Sequence, residues 1–138
     1  MRLMLHSAVM TSEIRAAMQA TNSLFNSEIF GKGNMDAFDN IYTREARILP
    51  PGAPMISGGA AIKSFWADFI KATSATAATL ETVEAMVDGD GVVEIGKATV
   101  TMQGPGSDAT QLQVKYVVYW REEDGRWKWH VDIWNLNT

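Results

Sequence analysis

Positions Ile14, Met18, Thr21, Phe25 and Ile29 recur at helical spacing, and Thr11 or Ser12 stands where a helix N-cap is needed. Gly31 and Gly33 then end that helix. A second, short helix is predicted after Asn34, with Asp36 in its first turn, where the helix dipole favours an anion. Met35, Phe38 and Tyr42 mark its buried side. Glu45 to Leu49 reads as a short strand, halted by Pro50-Pro51-Gly52-Ala53-Pro54 because proline has no N–H to give a ladder. A third helix starts near Gly59, with Ile62, Phe65, Trp66, Phe69 and Ile70 spaced for one apolar face.

Beyond that helix the period shortens to two. Strands are predicted over 79–87, 92–102, 111–121 and 126–135. They are joined by the tight-turn signal Asp88-Gly89-Asp90-Gly91, a longer loop from Gln103 to Thr110 containing Gly104-Pro105-Gly106, and the turn Glu122-Glu123-Asp124-Gly125. Helices followed by long meandering strands predict an α+β domain with helices packed on one face of a curved sheet.

Register decides which side chains face the helices, since alternate residues point to opposite faces. With 122–125 as the last turn, Trp120 pairs with Trp127, Val118 with Trp129, Tyr116 with Val131 and Val114 with Ile133, all on an apolar inner face. The outer face then pairs Tyr119 with Lys128, Val117 with His130 and Lys115 with Asp132, the last as an ion pair. Setting Met102 against Leu112 places Ala98 beside Tyr116, Gly96 beside Val118 and Glu94 beside Trp120. Val87 meets Val92 and Ala85 meets Glu94. The small Gly96 and Ala98 leave space under the helices, the candidate pocket.

Glu94 is the one acid expected on the inner face, beside Trp120 and Trp127, where desolvation would raise its pKa toward a general acid/base range. A structural glutamate reaching solvent or a partner on a helix is the other reading. Asp132 is the rival site: a β-bulge near Trp129 would turn Asp132 and His130 inward as an acid/base pair. Buried Tyr and Trp need hydrogen-bond partners, so the polar tips of Tyr42, Trp66, Tyr116 and Trp120 are expected to reach the pocket.

Composition narrows the function classes. The 138 residues suit one domain, read as 1–138 with a core of about 12–137 and a mobile stretch at 1–10. Twelve Lys and Arg oppose sixteen Asp and Glu, and the whole excess of negative charge falls after residue 57. No basic stripe is interleaved with aromatics, which argues against nucleic acid. The absence of cysteine removes disulfides and thiolate chemistry and suits a reducing compartment. With no signal-like leader and no apolar run of about 18 residues, a cytoplasmic protein away from membranes is expected. His6 and His130 have no ligand spacing for a metal.

Several segments together resemble a known family. They are Tyr42 to Pro51, Gly58-Gly59-Ala60-Ala61-Ile62, Phe65-Trp66, Glu94-Ile95-Gly96, Lys115 to Trp120, Trp127-Lys128 and Asp132-Ile133-Trp134-Asn135. This set, covering roughly 12–137, resembles SnoaL-like and ketosteroid-isomerase-like domains of the nuclear transport factor 2-like superfamily. The resemblance implies a cone-shaped, antiparallel or mixed sheet of five to six strands wrapped around three N-terminal helices. It also implies a small-molecule pocket, a working carboxylate on the last strand, no cofactor, and a homodimer. Among family activities, isomerase, cyclase or dehydratase chemistry on a small, largely apolar metabolite is expected, with a non-catalytic association domain as the alternative. The base of a ketosteroid isomerase would fall at Leu49 or Pro50, neither of which takes a proton, and the first helix has no tyrosine for its oxyanion hole. Glu94 and Asp132 are therefore the candidate catalytic residues, with Tyr42, Trp66, Tyr116, Trp120 and His130 as candidate ligand contacts. The dimer is expected through the outer sheet face, which by this register carries Met86, Val93, Ile95, Val117, Tyr119 and Trp134.

Overall fold

The computed structural model describes residues 9–103 and 108–138. The expected Gly104-Pro105-Gly106 loop and most of the leading stretch lie outside them. Helix α1 (Ser12–Leu24) opens on Thr11, whose hydroxyl accepts from the Ile14 amide at 3.0 Å. It widens into a π-helical turn over Phe25–Phe30 that buries Phe25, Ile29 and Phe30. A 3₁₀ turn (Met35–Asn40) follows, and helix α2 (Gly59–Thr73) ends on Ser74 in the left-handed conformation. No described helix is long and apolar enough to cross a membrane.

Six strands form one mixed sheet: β1 (Tyr42–Leu49), β2 (Ile56–Ser57), β3 (Ala75–Asp88), β4 (Gly91–Met102), β5 (Thr110–Glu123) and β6 (Arg126–Leu136). Their order across the sheet is β2-β1-β6-β5-β4-β3, with β1 and β6 parallel and every other pair antiparallel. Tyr42, expected at the end of the short helix, belongs to β1. Strand β3 starts earlier than expected, at Ala75. Its first residues are small and weak in β-propensity, and they enter the sheet because Ala75 and Ala78 are buried beneath the helices. Extra residues at Thr76 and Val83 interrupt the β3–β4 ladder, and such bulges bend and twist a strand.

The last hairpin departs from the expected register, and the departure has two parts. The turn is only two residues long: Asp124 and Gly125 both have positive φ, 54° and 74°, so Glu123 pairs with Arg126 and Trp120 with Trp129. That is a shift of two, which leaves faces unchanged. One residue further on, Tyr119 pairs with Val131, leaving His130 as an extra residue. This bulge reverses the alternation. Asp132 and Trp134 turn inward, while Val131 and Ile133 turn outward, opposite Tyr119 and Val117. The expected Lys115–Asp132 pair therefore does not form: Lys115 faces Asn135 and Asp132 lies across from Val118. Trp134 likewise leaves the outer face.

The β4–β5 register is also two residues from expectation, with Gly96 opposite Tyr116 and Ala98 opposite Val114. The phase survives, but the space at Gly96 does not. A methyl group built on Gly96 would collide with the Tyr116 ring, so the ring fills the gap that the glycine leaves. Ala98 alone of the two borders a cavity. Gly96→Ala should therefore cost about 2–4 kcal/mol, combining overpacking with displacement of the Tyr116 hydroxyl from its partner. Urea unfolding checks it, and a loss below about 1 kcal/mol would show the ring free to move.

Candidate functional site

Two carboxyl groups lie inside the sheet, in different company. Glu94, on β4, is fully buried. Its Oε2 accepts from Thr82 at 2.6 Å, Tyr116 at 2.7 Å and Asn22 Nδ2 at 3.3 Å, and its Oε1 from Trp120 Nε1 at 2.9 Å. Asn22 accepts in turn from Trp129 Nε1 at 3.0 Å. Helix α1 and strands β3, β4, β5 and β6 thus meet at one set of hydrogen bonds. Burial and the adjacent Glu94 charge both raise the pKa of Tyr116, which stays a hydroxyl donor across the ordinary pH range.

Asp132, on β6, borders a cavity of about 70 Å³ between the helices and the sheet. That is space for about five water molecules or one small ring. The remaining wall is almost wholly apolar: Phe25, Trp66, Phe69, Ala78, Leu80, Ala98, Val100, Leu112, Val114, Tyr116, Val118, Trp129 and Trp134. Trp66 and Trp134 stack with ring centres 5.2 Å apart, and Phe25 meets Trp66 edge-on at 5.1 Å. Asp132 accepts one hydrogen bond, from the Tyr42 hydroxyl at 2.6 Å. That hydroxyl receives Trp66 Nε1 at 3.2 Å, which orients it toward the carboxyl. Burial pushes the Asp132 pKa up to about 7, opposed by the Tyr42 hydrogen bond and aided by the charge of Glu94. The group can accept or release a proton near neutrality.

The seven residues singled out from sequence divide by this geometry. Trp66, Tyr116 and Asp132 line the cavity, and Tyr42 stands behind Asp132 as its donor. Glu94 and Trp120 bond each other outside the cavity wall. His130, the bulged residue, does not turn inward with Asp132. Its Nδ1 contacts the Thr43 hydroxyl at 2.7 Å, and its ring lies 6.5 Å from that of Tyr119 on the outer face. Burial, then Arg121 and Arg47, lower its pKa. Among the described residues no group of three His, Asp or Glu could hold a metal ion.

Five further residues contribute: Asn22, Trp134, Leu80, Val100 and Leu112. Asn22 carries no sequence signal beyond being polar on the buried stripe of α1. Trp134 falls on the outer face in an unbroken register and turns inward because of the bulge at His130. Val100 and Leu112 fall on the inner face by alternation, whereas Leu80 reaches it only because the bulge at Val83 shifts the phase of β3.

The raised pKa of Asp132 makes stability depend on pH with a definite sign. Between the ordinary value of 3.8 and about 7, the folded protein holds a proton that the unfolded chain has released. The group's contribution is therefore full below about pH 4, falls as pH rises through 7, and is level above. Asp132→Asn should abolish this slope, so the variant gains on the wild type by roughly 2–4 kcal/mol between pH 4.5 and 8. Parallel urea titrations across that range measure it, and identical slopes in both proteins would refute the burial argument.

Comparison with known proteins adds the family. The SnoaL-like domain family matches residues 24–130. No curated protein matches the chain. Solved structures share the fold at low identity. An NTF2-like protein with a cystatin-like fold from Novosphingobium aromaticivorans superposes with a TM-score of 0.77 at 14% identity, over 91% of this chain and 83% of its own. A hexachlorocyclohexane dehydrochlorinase, LinA-type3 from Novosphingobium barchaimii, gives 0.71 at 17%, over 90% and 86%. A ketosteroid isomerase-like protein from Erwinia carotovora atroseptica gives 0.73 at 15%, over 94% and 99%. With a family match across most of its length, a mixed six-stranded sheet and a fold shared with these neighbours, the chain belongs to the SnoaL-like domain family, in the NTF2-like, cystatin-like α+β fold.

Proposed function

We propose that the cavity binds a small, largely apolar, uncharged molecule and that Asp132 exchanges a proton with it, in cofactor-independent isomerase, cyclase or dehydratase chemistry. One observation carries the reading: among the described residues, Asp132 is the only carboxyl in an otherwise apolar wall, and its pKa is about 7. The ionised form takes a proton from a C–H or O–H of the ligand, and the protonated form returns it to another atom, so an isomerisation balances without a co-reactant. An anionic ligand would meet the ionised Asp132 and the apolar rings unfavourably, which selects for a neutral one. Neighbours that bear the names dehydrochlorinase and ketosteroid isomerase-like keep this class of chemistry in view. Glu94, which does not touch the cavity, serves as a positioning group for Tyr116.

Exchange of the α-hydrogens of cyclohexanone in deuterated water, followed by proton NMR, tests this without knowing the natural ligand. Catalysed exchange should appear with the wild type and drop roughly 100-fold or more in Asp132→Asn. Saturable quenching of tryptophan fluorescence by cyclohexanone should persist in that variant. Equal exchange rates in the two proteins would remove Asp132 from the chemistry.

We also propose a homodimer through the outer sheet face, the role that a non-catalytic association domain would share. Met86, Val93, Tyr119 and Val131 are successive cross-strand partners, as are Ile95, Val117 and Ile133. Met86 is 42% exposed, Ile95 37%, Val117 40% and Ile133 38%, so the apolar side chains form one open patch. A two-fold axis buries such a patch against its copy. Sedimentation equilibrium should return about twice the chain mass of 15.2 kDa, and Ile95→Glu with Val117→Glu should halve it. A wild type that sediments as one chain at micromolar concentration counts against the interface.

A further inference from the structure

Tyr42 borders a second hollow, of about 520 Å³, whose walls are about half polar. Four cations line it, Arg44, Lys63, Arg126 and Lys128, against two carboxylates, Asp39 and Asp124. Both carboxylates are already engaged: Asp124 with Arg44 at 2.7 Å and Asp39 with Lys63 at 3.0 Å. Lys63 also lies 3.9 Å from the exposed Asp36. Two positive charges are left with little or nothing. Arg126 is exposed and forms no ion pair among the described residues. Lys128 is more unusual, because its side chain is only 6% exposed and its ammonium makes a single long contact, 3.4 Å to Glu123. Glu123 is itself shared, since its two oxygens accept from the Arg44 amide at 3.2 and 3.3 Å. An ammonium has three donors, so two of those on Lys128 stay available to a ligand in the hollow.

A third source of positive potential faces the same space. Helix α2 begins in the wall at Gly59, its N-cap Gly58 offers no side chain, and its first turn holds no acid. The first intrahelical bond is Ile62 N to Gly58 O, so the amides of Gly59, Ala60 and Ala61 precede it. A side chain at Gly59 would meet nothing within 4 Å, which leaves the helix end open to the hollow. A cationic lysine, an arginine fork and a free helix N-terminus around one hollow are the donor set of an oxyanion site. We propose that this hollow binds the phosphate or carboxylate group of a small metabolite, held by Lys128, Arg126 and the first amides of α2. The site is separate from the apolar cavity and does not rest on the chemistry proposed there.

Titration of ¹⁵N-labelled protein with inorganic phosphate, and separately with acetate, at ionic strength held constant with sodium chloride, tests it. Saturable shifts at Gly59, Ala60 and Ala61 support the site. Saturation by phosphate alone assigns a phosphate-bearing ligand, and saturation by both assigns oxyanions in general. Arg126→Gln, an exposed change that leaves the core intact, should weaken phosphate about tenfold or more. Lys128→Met should abolish saturation, and Arg126→Gln decides the matter if that variant fails to fold. Shifts that rise linearly through tens of millimolar, or an Arg126→Gln titration identical to wild type, would overturn the proposal.

Discussion

The hydrogen bonds that converge on Glu94 constrain everything around them, because a carboxyl buried with fewer donors would cost several kcal/mol. Thr82, Tyr116, Trp120 and Asn22 come from three different elements, β3, β5 and α1, and all must arrive in one arrangement. Asn22 passes the constraint on to Trp129. Apolar packing alone tolerates sliding between a helix and a sheet, whereas a set of directed bonds does not. Glu94 therefore fixes the height of α1 above the sheet, and with it the position of Phe25, one residue beyond α1, at the edge of the cavity.

The two inner carboxyls owe their difference to this uneven supply of donors. Four groups serve Glu94 and one serves Asp132. The nearest aromatic tips on β5 are taken by Glu94, so Asp132 must share Tyr42 with Trp66. A carboxyl left short of donors in apolar surroundings is held as much by its proton as by its neighbours. The same fold thus turns one acid into a fastening and leaves the other chemically labile.

Much of the fold was legible because it rests on period and punctuation. The start of α2 at Gly59, the Asp88–Gly91 turn and the pairing of Ala85 with Glu94 all follow from glycine positions and alternating residues. The inner placement of Glu94, Tyr116 and Trp120 followed too, since errors of two residues leave faces unchanged. What was not legible depends on single residues. The bulge near Trp129 stands in the sequence only as an alternative, because the alternation of Trp129, Val131 and Ile133 reads equally well unbroken. It is set by contacts distant in sequence: Thr43 holds the His130 ring, and the Trp129 amide bonds Ile41 O at 2.7 Å. The filling of the Gly96 gap by the Tyr116 ring is likewise a matter of rotamer and register together.

The parallel pairing of β1 with β6 has a consequence for how the chain reaches this state. The hairpins β3–β4, β4–β5 and β5–β6 join neighbours in sequence and can zip from their turns. The Tyr42–Asp132 bond, by contrast, closes a loop of 90 residues and brings no local partner with it. Contacts of such separation carry the largest loop-closure entropy and gain little until the intervening sheet exists. By this argument the Asp132 site is expected to close only when β1 docks onto a meander already formed. An intermediate with that meander in place would hold Asp132 in water, ionised and inert.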